Sequence, residues 1–273
     1  MVASVRGYLS KRFYGLSGQR FSRAFNLLNA LYWKSSIVLL WDESKRKIVV
    51  QENGYSLYIA RPSRTRRYRR GLLLQLDALA DEYMLNQVPI SDGDVVIDCG
   101  ANVGEVGFWL QRRVAKLQII SVEPERSEAD CCDLNVYGGH STTIRKALWQ
   151  EDGELTFYSK NDTGDSSLFE TVEFKTSSNV QTITLESLMR EYGLGKVKLL
   201  KLEAEGAEPE ILLGAGDALK QVEYISADLG PERGLSQETT AATVINFLLA
   251  RDFRLVDVFA ERLVFLFKNQ GFD

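Results

Sequence analysis

The chain has 273 residues, enough for one large domain with an appendage. Its 45% hydrophobic and 26% charged content is that of a folded soluble protein rather than a collagenous, disordered or membrane-embedded one. Three cysteines (Cys99, Cys131, Cys132) without metal-ligand spacing, and a single histidine (His140) beside a Gly-Gly pair, set aside disulfide scaffolds, zinc centres and histidine-based triads.

Charge is uneven along the chain. Residues 1–70 hold 15 Lys and Arg against 3 Asp and Glu (net +12), and the remainder holds 18 against 34 (net −16). A basic segment on an acidic body suits a polyanionic partner, whether a membrane surface, a phosphorylated substrate or nucleic acid; it also suits docking onto the acidic body itself. Residues 1–35 read as partly helical: Phe21, Phe25, Leu28 and Tyr32 recur at helical spacing, as do Ala24, Leu27 and Leu31, with basic residues interleaved. Such a stripe either packs on its own domain or lies in a membrane interface. No run approaches the ~18 apolar residues of a membrane span. A reducing, cytoplasmic setting is expected, with peripheral contact at the inner membrane face through residues 1–35 as a further placement.

Residues 36–41, 47–51 and 55–60 read as a small antiparallel meander. Six arginines follow between 61 and 70, around Tyr68; forked guanidinium donors suit phosphate, and Arg66 and Arg67 are taken as substrate-binding candidates. Residues 72–88 predict an amphipathic helix, stopped at Pro89.

The chain is organised around Val95-Val96-Ile97-Asp98-Cys99-Gly100-Ala101-Asn102-Val103-Gly104. A buried parallel strand runs into a glycine turn and then a helix, so backbone amides can approach a ligand closely. The pattern is not the Gly-x-Gly-x-x-Gly of dinucleotide sites. A second strand, 118–122, ends at Glu123, 19 positions after Gly104, where an acid is placed to accept hydrogen bonds from two ribose hydroxyls. A helix is expected over 127–137 and a third parallel strand over 142–148. A strand over 155–159 and a long polar loop over 160–179 follow; Ser166 and Ser167 in that loop are substrate-contact candidates. Residues 197–202 form a strand running into Glu203-Ala204-Glu205-Gly206, and 224–228 another ending at Asp228. The closing elements are a helix over 239–251 and an antiparallel pair. Strands alternating with helices predict a doubly wound α/β sheet, with Asp98, Glu123, Glu203 and Asp228 on its carboxyl edge.

The residues Asp98 to Gly104, Glu123-Pro124 and Lys201-Leu202-Glu203-Ala204-Glu205-Gly206-Ala207-Glu208 resemble the FkbM-type methyltransferases over about residues 90–230. The resemblance implies a seven-stranded, Rossmann-like class I methyltransferase sheet with its last strand antiparallel, preceded here by the basic helical and β-meander extension. The expected division is therefore 1–70 and 71–273. It implies S-adenosylmethionine as cofactor and a hydroxyl acceptor on a sugar or natural product. Asp98, Gly100, Asn102 and Gly104 would line the methionine end, Glu123 the ribose, and Ala147 and Leu148 the adenine. The chain departs from the family in carrying Glu203 where Asp is usual and Asp228 where Glu is common.

A sugar hydroxyl is a weak nucleophile and gains from a base as its proton leaves. Glu203, Asp228, Lys201 and Glu205 are the candidates. Mg²⁺ held by Glu203 and Asp228 is an alternative that is not favoured. The acceptor is expected to be a small molecule or glycan, with a phosphorylated one suited to the arginines. Two other readings stay open: a nucleic-acid methyltransferase, disfavoured by the absence of an Asn-Pro-Pro-Tyr-like motif, and a membrane-docked scaffold without turnover.

Overall fold

The computed structural model describes residues 12–159, 168–169 and 176–272. Strands β1 (Val38–Asp42), β2 (Lys47–Glu52) and β3 (Tyr55–Ile59) form the expected antiparallel meander. The helix Gly18–Leu28 lies on β1. The Asn26 side chain binds both the amide and the carbonyl of Leu39, each at 2.8 Å. Those two bonds satisfy edge-strand backbone groups that would otherwise be open to pairing with another chain.

The central sheet has six strands in the order β13-β14-β10-β9-β4-β5. They are β4 (Val95–Cys99), β5 (Gln118–Val122), β9 (Val197–Leu202), β10 (Val222–Asp228), β13 (Phe253–Phe259) and β14 (Val264–Asn269). Strands β4, β5, β9 and β10 are mutually parallel, and β14 runs antiparallel beside β10. Neighbouring strand residues divide between two cores. Val96, Leu199 and Leu266 face one, while Ile97, Leu200 and Phe267 face the other. Period-two side chains with both faces apolar require cover on both sides, which is why the strands read as unbroken apolar runs. Helices Leu72–Glu82 and Glu105–Gln111 cover the first face; Leu185–Glu191, Glu208–Leu213 and Ala241–Leu249 cover the second. Phe21 and Phe25 of the basic segment share the first core with Val96 and Trp109, so the apolar cluster runs across residue 70 without a break. Each fully buried phenylalanine contributes roughly 1.5–3 kcal/mol to holding that segment in place.

The sheet has six strands where seven were expected. The predicted third strand is reduced to one bridge, Val122 to Ile144. The amides of Thr142 and Thr143 are taken by the Asp133 carboxylate at 3.1 and 2.8 Å, so they do not enter the ladder. Beyond Ile144 the chain diverges, and β6 (Ala147–Leu148) pairs with β8 (Thr176–Ile183) in a separate three-stranded sheet completed by β7 (Gly153–Ser159). Strand β8 begins inside the stretch read as loop. Its sequence lacks an apolar period because both faces are exposed over Ser177, Ser178 and Asn179, and polar cross-strand pairs set the register instead: Asn179 and Gln181 donate to Glu154 at 2.6 and 2.8 Å.

The predicted helix over 72–88 ends early. Tyr83 closes it, Met84 takes a left-handed φ of 52°, and a 3₁₀ turn Leu85–Gln87 follows. A short hairpin, β11 (Pro231–Arg233) with β12 (Glu238–Thr239), was not anticipated.

Candidate active site

The glycine turn after β4 is fixed by steric need. Gly100 has φ 70°, and a Cβ there would lie 2.0 Å from the Glu203 carbonyl oxygen. Gly104 has φ 84°, and its Cβ would meet Val136 at 2.7 Å. Only glycine allows both the left-handed backbone and these approaches. The turn leads the Asn102 amide to the Glu123 carboxylate at 2.9 Å. The second Glu123 oxygen accepts from the Glu125 amide at 2.7 Å. The acid after β5 is thus locked to the turn after β4, and both border one cleft. Burial pushes the Glu123 carboxyl up to about 7, against those two amide hydrogen bonds. Asn135 ties the turn to the N-terminal meander, binding the Val103 carbonyl at 2.6 Å and both backbone groups of Tyr58.

Lys201 is the polar centre of the cleft. The register of β4 against β9 sets Asp98 opposite Lys201. The ammonium, on a residue 1% exposed, lies 3.2 Å from Asp98 and 3.0 Å from Glu203, and donates to the Cys99 and Gly100 carbonyls at 3.1 and 2.9 Å. Burial alone would lower its pKa; Asp98 and Glu203 outweigh burial and raise it above the ordinary lysine value. The lysine is therefore a fixed cation that also ties the glycine turn to β9. Burial would raise Glu203 as well, but Lys201, with help from Arg67 and Tyr83, holds that carboxyl down to about 2. Asp98 differs: burial outweighs Lys201 and raises it, and neither of its oxygens has a hydrogen-bond partner of good geometry.

A third group of residues was not singled out from sequence. Tyr83 lines the cleft, its ring centroid 5.1 Å from the Lys201 ammonium. Its buried hydroxyl lies close to Glu203 without a hydrogen-bond partner of good geometry. The early helix end puts it there, and helical periodicity carried no sign of that break. Glu105 receives the Tyr68 hydroxyl at 2.6 Å and an ion pair from Arg64. Burial would raise the Glu105 carboxyl, and Arg64 with Arg67 holds it below its ordinary value. Glu208, part of the third motif, accepts from the Ala204 and Gly206 amides at 3.0 and 3.2 Å and from the Thr240 hydroxyl at 3.1 Å. It closes the turn that carries Glu205, whose φ is 51°.

The remaining candidates separate. Ala147, Leu148, Glu205 and Arg67 border the cleft. Arg66 lies over the Tyr14 ring at 4.1 Å and is not part of the cleft lining. Asp228 is bound by Arg262 at 2.7 Å and by the Gly230 amide at 3.0 Å, and does not line the cleft either. Ser166 and Ser167 lie outside the described residues. The two oxygen donors considered for Mg²⁺ are each ion-paired, Glu203 with Lys201 and Asp228 with Arg262. Among the described residues, no group of three or more His, Cys, Asp or Glu side chains is placed to hold a metal ion.

Parallel strands β5, β4, β9 and β10, an antiparallel β14 and a strand-end cleft beside a glycine turn are the plan of a Rossmann-like class I methyltransferase. Residues 98–255 match the family described as the methyltransferase FkbM domain. The chain belongs to that family and is an S-adenosylmethionine-dependent methyltransferase. It is 22% identical over 212 residues to 2-O-methyltransferase NoeI of Sinorhizobium fredii, a match covering 70% of this chain and 86% of that protein. Among solved structures it is similar to methyltransferase FkbM from Methylobacillus flagellatus KT, at 15% identity and a TM-score of 0.46. That match covers 67% of this chain and 45% of the other, so the chain spans less than half of that protein. It is also similar to magnesium protoporphyrin IX methyltransferase from Synechocystis PCC 6803, at 12% identity and a TM-score of 0.41, covering 73% and 79% of the two chains.

Proposed function

We propose that this cleft seats S-adenosylmethionine and directs its methyl group to a hydroxyl of a saccharide acceptor. The observation that carries the reading is the hydrogen bond from the Asn102 amide to Glu123 at 2.9 Å, which makes the glycine turn and the acid after β5 one unit. In this reading Glu123 accepts the ribose hydroxyls, and Ala147 and Leu148 flank the adenine. Gly100 and Asn102 border the methionine end; Asp98 and Gly104 do not line the cleft and support the turn from behind, against Lys201 and against Cys132 and Val136. The empty acceptor position on the Asn102 side-chain oxygen, at the cleft, suits a donor of an amino-acid moiety. The O-methyltransferase activity in the name of the Sinorhizobium relative supports a hydroxyl acceptor.

The bound cofactor supplies an electrophilic methyl group on a sulfonium, and the chain must align an oxygen behind it. Alignment alone can lower the barrier by several kcal/mol, about 7–11 in favourable cases. Glu203 is fixed by Lys201 and stays ionised, so it accepts a hydrogen bond from the acceptor hydroxyl and orients its lone pair. A carboxyl near 2 is a weak base. Proton transfer to a Glu203 oxygen therefore comes late, as the new C–O bond makes the hydroxyl acidic. The Tyr83 hydroxyl, close to Glu203, offers a second polar contact for the acceptor beside it. Lys201 keeps its proton and acts by holding Asp98 and Glu203 in place. Of the arginine run, Arg67 is positioned at the cleft for an acceptor carrying phosphate.

Calorimetry with S-adenosylmethionine and its demethylated product, on wild type and Glu123→Ala, tests the cofactor seat. Hydrogen bonds to a charged group are worth about 1.5–3 kcal/mol each, so losing the ribose pair weakens binding by roughly 100-fold or more. Unchanged affinity in the variant removes Glu123 from the site. Labelled-methyl transfer to a panel of free, nucleotide-linked and lipid-linked saccharides tests the acceptor class, and transfer only to nucleic acid overturns it.

A further inference from the structure

The basic N-terminal helix has two sides with different fates. Phe21 and Phe25 point inward and are fully buried. Leu27, Leu31 and Tyr32, on the same helix and the π-helical turn Asn29–Trp33 that continues it, are 61%, 58% and 73% exposed. Arg20, Arg23, Leu27, Leu31 and Lys34 follow one another at intervals of three and four, and all five are exposed. The spacing of the first four is one face of a helix, and Lys34 follows at its left-handed C-cap. The first 41 residues contain six Lys and Arg and no Asp or Glu. The Asn26 bonds to Leu39 and the buried phenylalanines fix the helix on the meander, so the outward stripe is preformed.

Large apolar side chains grouped on a surface mark an interaction face. Here they are flanked by cations with no acid among them, which suits an anionic interface with an apolar layer beneath it. Phospholipid headgroups meet the arginines and the lysine, and the acyl boundary accepts the leucines and the tyrosine ring. Among the described residues no helix is long and apolar enough to cross a membrane.

We propose that the stripe Arg20, Arg23, Leu27, Leu31 and Lys34, with Tyr32 beside it, docks the enzyme peripherally on an anionic phospholipid surface. The contact is independent of the acceptor reading, since none of these side chains lines the cleft. Sedimentation of the full chain with vesicles tests it, using phosphatidylcholine alone and phosphatidylcholine mixed with phosphatidylglycerol. Wild type is expected to bind the mixed vesicles and to be released by salt. Arg20→Ala plus Arg23→Ala should weaken binding about fivefold per arginine. Leu27→Glu plus Leu31→Glu should abolish it while melting at the wild-type temperature. Failure of wild type to bind the mixed vesicles, or equal binding by the glutamate variant, overturns the proposal. So does a lower melting temperature of that variant without lipid, which would mean the stripe is packed within the chain. A wild-type dimer dissolved by the glutamates overturns it too, by assigning the face to a second copy.

Discussion

Asp98 and Asp228 end two parallel strands of one sheet, yet their surroundings differ. Asp98 is fully buried beneath the cleft; its partner Lys201 comes from the adjacent strand at the same register, and Lys201 lines the cleft while Asp98 does not. Asp228 is 1% exposed; its partner Arg262 comes from the turn between β13 and β14 and also meets Glu82 at 3.1 Å and Glu232 at 3.5 Å. That guanidinium closes the rim around β10 into a knot of its own charges. Around β4 and β9 one ammonium serves two carboxylates, and capacity is left over at Asp98. A strand-end acid thus keeps acceptor capacity when one cation is shared between two carboxylates.

Removing the shared cation breaks the first arrangement most severely. Lys201→Met leaves Asp98 and Glu203 without their counter-ion; breaking a buried pair in this way costs about 3–5 kcal/mol. Urea unfolding at neutral pH should show a correspondingly lower midpoint, and an unchanged midpoint would mean the charges are solvated. The same chemical change at both acids then sharpens the contrast. Asp98→Asn should lower cofactor affinity or turnover by about 10- to 100-fold, since it removes a charge that Lys201 balances beneath the proposed cofactor seat. Asp228→Asn keeps an acceptor for the Gly230 amide and leaves Arg262 with Glu82 and Glu232, so turnover and stability should change little, by less than about 1 kcal/mol in unfolding free energy. Equal losses in the two variants would contradict the difference between the two rims.

A pH series separates Glu123 from both. Its folded carboxyl titrates near 7 against an ordinary value of 4.5. The folded state therefore holds the proton more tightly, and this group's contribution to stability is lost as pH rises from about 4.5 to 7. Accepting two ribose hydroxyls requires the ionised form, so cofactor affinity should fall as pH drops below about 7, approaching tenfold per unit. Glu123→Gln should flatten that dependence. The arginine run bears on the acceptor alone. Arg67→Ala should raise KM for a phosphorylated acceptor, by about tenfold if one charge-assisted hydrogen bond is lost. Arg66→Ala, at a residue stacked on Tyr14 away from the cleft, should leave KM unchanged.

Most of the geometry of the cleft's glycine-turn edge was legible in the sequence because it is built from local rules. A glycine that must take positive φ, an apolar strand buried on both sides and an acid at the next strand end each leave a mark within a few residues. The Gly100 turn, strands β4, β5, β9 and β10, and the facing of Glu123 onto the turn follow that pattern. The reduced third strand was not legible, since Asp133 captures the amides of Thr142 and Thr143 from a neighbouring helix. Strand β8 was read in part as loop because its exposed stretch carries polar residues.

Sequence alone determined the family, the doubly wound plan and the residues of the glycine turn, because backbone sterics and apolar periodicity act over short distances. Tertiary structure decided which charges are free. The register of β4 against β9 joined Lys201 to Asp98, the closing hairpin delivered Arg262 to Asp228, and a left-handed Met84 ended one helix so that Tyr83 reached the cleft. Charges act through space, and their partners here come from segments as many as 180 residues apart, as with Glu82 and Arg262, so pairing is settled only once the chain has folded.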